Sequence, residues 1–182
     1  MSRVLVLLAE GFEEIETTTV VDVLRRAGVE VVLAGLDGSD PVRGSRGLVV
    51  VPDGAFDRGD EDFDLVVLPG GLGGAERLAE SLDVRNLLRA RVAAEQPVAA
   101  ICAAPLALDA AGVLAEGGFT CYPGLETKLR VGGRQQDEVV AFTGVVTSQG
   151  PGTAMAFSLH LVERLEGAER RADVARGLLY RA

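Results

Sequence analysis

Three short segments carry residues able to run chemistry: Gly11-Phe12-Glu13-Glu14-Ile15-Glu16, Leu68-Pro69-Gly70-Gly71-Leu72-Gly73-Gly74-Ala75, and Val98-Ala99-Ala100-Ile101-Cys102-Ala103-Ala104-Pro105. In the third, an apolar run ends at a cysteine, and Pro105 suits the first turn of a helix. Cys102 is therefore expected at a strand-to-helix turn of the nucleophile-elbow kind, beside helix N–H groups. The plainer alternative is a small buried hydrophobe. Lowering a thiol pKa from about 8.5 to about 5.5 takes roughly 4 kcal/mol, whereas a helix terminus supplies about 0.3–1 and at most about 2, so a reactive Cys102 needs a second donor. The first segment offers one. At 100° per residue Glu16 shares a face with Val20, Val23 and Ala27 and points inward, while Glu14, Thr18, Asp22 and Arg25 lie opposite. A buried carboxyl without a cationic partner holds its proton to higher pH and can donate to a thiolate, so Cys102 and Glu16 should titrate as a pair. Glu14 reads as a complement to the helix dipole.

The glycine-rich segment tempts a nucleotide reading. A G-x-G-x-x-G pattern started at Gly71 fails because position 76 is Glu, and no Gly-Lys-Ser/Thr follows. Glycines also let main-chain N–H groups approach a reacting atom, as an oxyanion hole requires. A plain tight turn is the alternative.

These segments need a frame that brings them together. Short Val- and Leu-rich runs alternate with longer amphipathic stretches, the pattern of a mostly parallel buried sheet covered by helices, so the class is α/β. Core strands are predicted at Val4–Leu8, Glu30–Ala34, Leu65–Leu68, Val98–Ile101 and Val145–Thr147. Helices are predicted near Glu13–Ala27, Ala75–Leu82, Val84–Ala94, Pro105–Ala111, Gly152–Leu165 and Arg170–Leu179. Between Asp37 and Asp53 the composition favours a hairpin. No linker or repeat divides the 182 residues, which are expected to form one domain. In such a sheet, functional residues gather at the carboxyl edge, where all three segments would lie.

Composition narrows the chemistry. Cys102, Cys121 and His160 are the whole supply of Cys and His, at no zinc-site spacing, so no metal is expected. A net charge of −9, 4% aromatic residues and no Trp argue against tight nucleic-acid binding. The run Val4–Ala9 is too short for a signal h-region, and Thr147 to Gly152 interrupt the uncharged stretch from Val139 to Val162. The expectation is a cytoplasmic protein with no membrane span. Cys121 reads as a structural thiol, with a resolving thiol for Cys102 as the alternative. His160, one turn from Arg164, is expected to be solvated.

Taken together, "GFEEIET", "SRG" at Ser45–Gly47, "VVLPGGLGGAE", "VAAICAAP", "CYPG" and "TSQGPGTA" resemble the ThiJ/PfpI superfamily, most closely the branch containing the Parkinson disease deglycase and bacterial YajL. The order holds over nearly the whole chain. The resemblance implies a flavodoxin-like three-layer sandwich of the class I glutamine amidotransferase kind, a homodimer, and an extra C-terminal helix near 170–179. It implies Cys102 as nucleophile, Glu16 as its protonated partner, and the N–H groups of Gly71 and Ala103 as the oxyanion site. Arg26 and Arg46 match positions near the dimer interface and active site of relatives, where they would help bind an anion. Tyr122 stands where the human relative has a pocket His.

The protease branch places a His directly after the nucleophilic Cys, whereas this chain has Ala103. Without that general acid, PfpI-type proteolysis is the weakest reading. One thiolate and one carboxyl better suit cofactor-free chemistry on small reactive aldehydes. A glyoxalase would convert methylglyoxal to lactate, and a deglycase would act on glyoxal adducts of proteins and nucleotides. The rival from another class is a redox-sensing stress protein or chaperone that uses oxidation of Cys102.

Overall fold

The computed structural model describes residues 1–57, 59 and 62–181. Its centre is a seven-stranded sheet of β1 (Arg3–Leu8), β2 (Glu30–Gly35), β5 (Gly54–Ala55), β6 (Leu65–Leu68), β7 (Val98–Ile101), β8 (Val139–Phe142) and β9 (Val145–Ser148), in the order β5-β2-β1-β6-β7-β9-β8. All neighbours are parallel except β8 and β9. Strands β6, β7 and β9 are buried at every position, which is why their sequences are continuous apolar or small runs rather than alternations. A two-stranded hairpin, β3 (Val42–Arg43) with β4 (Val49–Val50), leaves the main sheet in the predicted excursion.

Helix α1 (Glu14–Arg26) packs against α5 (Ala154–Gly177), while α2 (Leu72–Glu80), α3 (Leu82–Ala93) and α4 (Pro105–Ala111) pack together. The two helices predicted at the C-terminal end are the two halves of α5, divided at Gly167, whose φ of 87° and ψ of 168° are not helical. Strand β8 was not predicted. It turns back into β9 through Thr143 and Gly144, both at positive φ, an X-Gly hairpin signal that the sequence does contain. Helix α2 begins three residues before its predicted start because the glycines join its first turn. A Cβ on Gly74 would lie 3.0 Å from the Phe12 N, so the glycines serve close packing of α2 on the β1–α1 loop.

Strand order places the carboxyl ends of β1, β6 and β7 side by side. The three chemistry-bearing segments therefore meet at one edge, as the topology of an open parallel sheet requires. No helix among the described residues is long and apolar enough to cross a membrane.

Candidate active site

Cys102 sits between β7 and α4 with φ of 64°, the left-handed region that a non-glycine residue rarely occupies. Two main-chain bonds hold it there: its N–H donates to the Ser148 carbonyl at 2.9 Å, and its carbonyl accepts from the Tyr122 N–H at 3.0 Å. The residue is 8% exposed, covered yet bordering open space. That space is a cleft of about 560 Å³ lined by Cys102, Gly71, Ala103, Arg46, Tyr122 and Lys128, among others.

Glu16 enters from the first turn of α1 and is fully buried, on the apolar face that the helical periodicity assigned to it. Its Oε2 accepts the Gly70 N–H at 2.8 Å. Its Oε1 is buried with no partner at good hydrogen-bond geometry, although the Cys102 thiol stands close enough to act on the carboxyl as a hydrogen-bonding neighbour. Gly70 occupies the space between the two groups: a Cβ there would lie 2.5 Å from Glu16 Oε2 and 2.6 Å from Cys102 Cβ. Gly71 follows at φ of 84°, a conformation that costs glycine least.

Burial pushes the Glu16 carboxyl up to about 7, against the lowering influence of Cys102 and the Gly70 N–H. The Cys102 thiol is pushed up to about 12 by burial and by the Glu16 carboxylate, while the N–H groups of Gly71 and Ala103 pull it down. Where the sequence led us to expect a thiol depressed by a protonated Glu16, an ionised Glu16 raises it. One shared proton decides which group carries the charge, so the two titrate as a coupled pair.

The other residues singled out in the sequence separate into two groups. Arg46 and Tyr122 line the cleft. A Cβ on Gly150 would lie 3.3 Å from Tyr122 Cδ2 and 3.9 Å from Cys102 Sγ, so the ring, this glycine and the sulfur converge. Arg26 does not line the cleft. It lies twelve residues beyond Glu14, about 18 Å along the helix, ion-paired with Asp22 at 2.6 Å. Cys121 is fully buried and free, its thiol pushed up to about 11 by burial despite Arg134 nearby. His160 is half-buried on α5 rather than solvated, and burial holds its pKa below the usual value. Among the described residues no group of three or more His, Cys, Asp or Glu is placed to hold a metal ion.

Glu14 corrects the sequence reading most. Expected on the exposed face, it is buried because the β3–β4 hairpin folds over it: its carboxylate accepts the Ser45 hydroxyl at 3.0 Å and the Arg46 N–H. A Cβ on Gly44 would collide with the same carboxylate. Burial pushes this carboxyl up, but hydrogen bonds from the Arg46 main chain, its own main chain, the Ser45 hydroxyl and the Leu48 main chain outweigh that and leave its pKa below the usual value. On the other side of the cleft, Asp109 accepts the Arg130 N–H at 3.1 Å and its Nε at 3.0 Å, tying the segment after Lys128 to α4. Helical periodicity cannot see a covering hairpin, and Lys128 and Asp109 gave no signal in the sequence.

Residues 2–164 match the DJ-1/PfpI family. The chain is 44% identical over 178 residues to protein dj-1beta of Drosophila melanogaster, covering 96% of this chain and 95% of that one. The fly protein's crystal structure superposes with a TM-score of 0.95 at 43% identity, over 100% of both chains. A glutathione-independent glyoxalase of Caenorhabditis elegans, DJR-1.2, is 39% identical over 180 residues, 97% of this chain and 95% of that one. An oxidized DJ-1 of Toxoplasma gondii gives a TM-score of 0.92 at 36% identity, again over 100% of both chains.

Proposed function

Given that the chain belongs to the DJ-1/PfpI family, we propose that it is a cofactor-free glyoxalase acting on small 2-oxoaldehydes, with Cys102 as nucleophile and Glu16 as proton carrier. The observation that carries this reading is the coupled pair itself: a cleft-facing thiol beside a buried carboxyl whose pKa, about 7, sits at the optimum for a general acid–base near neutrality. The glyoxalase name of the worm relative supports it.

The ionised Glu16 takes the Cys102 proton as sulfur bonds to the aldehyde carbon, and the carbonyl π electrons move onto oxygen. The N–H groups of Gly71 and Ala103, already directed at the sulfur, are placed to receive that oxyanion. Protonation gives a hemithioacetal. Glu16 then removes the proton from the former aldehyde carbon, and a proton returned to the neighbouring carbon leaves a thioester of a 2-hydroxy acid. Water cleaves the thioester and restores the thiol, so methylglyoxal and water become lactate and a proton. Deglycation of glyoxal adducts would use the same first step.

The test is lactate formation from methylglyoxal by purified protein, freed of host glyoxalases, beside Cys102→Ser. Turnover no greater than in that variant ends the reading. The oxidized Toxoplasma relative favours a second use of the same thiol, in which peroxide converts Cys102 to a sulfinate hydrogen-bonded by Glu16. Mass spectrometry at mild peroxide doses checks it, and an unmodified Cys102 would count against it.

The homodimer rests on a surface. Ile15, Leu48, Val49 and Val51 are 54%, 49%, 46% and 67% exposed at the start of α1 and on the adjoining hairpin, and a second copy of this chain would cover them. Sedimentation of the parent and of Val51→Arg tests this: a monomeric parent overturns it.

A further inference from the structure

The cleft is larger than a three-carbon aldehyde needs. At about 560 Å³ it falls in the range that buries drug-sized ligands. Its lining carries two cations from separate elements: Arg46 from the hairpin turn and Lys128 from the 3-10 turn Leu125–Lys128. In a chain of net charge −9, a lining with two cations and one carboxylate is locally positive. Among the described residues the Arg46 guanidinium makes no ion pair, and Lys128 has only a loose contact with Glu76 at 3.9 Å. The one carboxylate in the lining, Glu13, is occupied as the cap of α1, accepting the Glu16 N–H at 2.8 Å. The walls that carry the cations are fixed, one by Glu14 through Ser45 and the Arg46 N–H, the other by Asp109 through Arg130.

We propose that Arg46 and Lys128 are specificity-determining residues, and that the cleft prefers 2-oxoaldehydes bearing a negative group, a carboxylate or a phosphate, away from the dicarbonyl. The proposal rests on the glyoxalase reading of the same cleft and narrows its substrate class. With R as the anionic substituent, the reaction balances as R–CO–CHO plus water giving R–CHOH–COO⁻ plus a proton, so 4,5-dioxopentanoate would yield 2-hydroxyglutarate. Each cation is partly solvated, so the two together are expected to give a preference of about tenfold, falling as salt screens them.

The experiment has two arms. In the first, kcat/KM is measured for 4,5-dioxopentanoate and for its neutral methyl ester at low and high ionic strength, with 2-oxo-3-phosphooxypropanal as the phosphate counterpart. The expected result is a preference for the anions of about tenfold at low salt, reduced several-fold in Arg46→Gln and in Lys128→Gln. Preference for the phosphate alone or the carboxylate alone identifies which anion the site takes. A ratio near one, with both substrates turned over, overturns the proposal and leaves the glyoxalase reading standing.

The second arm needs no turnover. Alkylation of Cys102 by anionic iodoacetate and neutral iodoacetamide is followed by mass spectrometry, each rate normalised to free cysteine. A normalised ratio favouring iodoacetate that declines in both variants supports the proposal even if methylglyoxal is not a substrate. A ratio at or below that of free cysteine overturns it, and failure of both reagents to reach Cys102 overturns it together with the thiol chemistry on which it rests.

Discussion

Glu14 and Glu16 stand two residues apart on the first turn of α1, both buried, and their proton affinities move in opposite directions. Glu14 is surrounded by donors, a hydroxyl and main-chain N–H groups delivered by a hairpin folded over it, and stays ionised below the usual carboxyl range. Glu16 faces the core with one N–H donor and a thiol, and holds its proton to about 7. Glu16 lies deep in the core and Glu14 just beneath the hairpin, so depth of burial and number of donors together separate a carboxylate that clamps structure from a carboxyl able to exchange a proton.

The most forceful way to break this contrast is Glu16→Gln, which keeps an acceptor for the Gly70 N–H but cannot carry a proton. Lactate formation should fall by about 100- to 10,000-fold in kcat, while alkylation shows Cys102 still reachable. If turnover survives, Glu16 is not the proton carrier. The same variant should be more stable than the parent at pH 8. Because the folded carboxyl binds its proton more tightly than the unfolded one, stability is full below the ordinary pKa of 4.5 and is lost as pH rises through about 7. A difference of that size corresponds to about 3 kcal/mol, so denaturant melts should show the variant ahead by about that much at pH 8 and little different at pH 4.

Glu14→Gln should behave in the opposite sense. Its lowered pKa means its stabilisation is present above the ordinary carboxyl range and lost as pH falls. Melts near pH 7 should show a loss of about 1–2 kcal/mol for one acceptor removed from two donors, shrinking in acid. As a positioning residue for Arg46, it should affect KM for an anionic aldehyde more than kcat. Equal stability at both pH values would erase the distinction between the two glutamates. The subtlest check is the pH profile of kcat/KM, which should rise through about pH 7 as Glu16 ionises and should keep its midpoint in Glu14→Gln. A midpoint that shifts there would mean the two carboxyls are electrostatically coupled rather than separate.

What was legible in the sequence follows from the range of the forces involved. The buried strands at Leu65–Leu68 and Val98–Ile101 and the helix at Pro105–Ala111 were placed at their observed bounds, because a continuous apolar run and a first-turn proline are local signals. The inward aim of Glu16 was legible for the same reason, since three apolar neighbours on its own helix define the face. Glu14 lies outside that reach because the element that buries it contacts it from 31 and 32 residues further on, through one hydroxyl and one main-chain N–H, which leave no periodicity. Lys128 belongs to a turn whose placement depends on tertiary packing, and the partner of Asp109, Arg130, lies 21 residues further along the chain. The weak strand Val139–Phe142 is edge-bound and half exposed, with an alternation too short to register.

The bonds that hold Cys102 join three stretches of chain, through Ser148 from β9 and Tyr122 from the loop after α4. During synthesis the thiol therefore emerges well before the strand that fixes its backbone. Domains fold as units, so a nascent chain ending before β9 would carry Cys102 without the Ser148 carbonyl that holds its N–H. The left-handed backbone at this position is thus held only once the carboxyl-terminal third has taken its place.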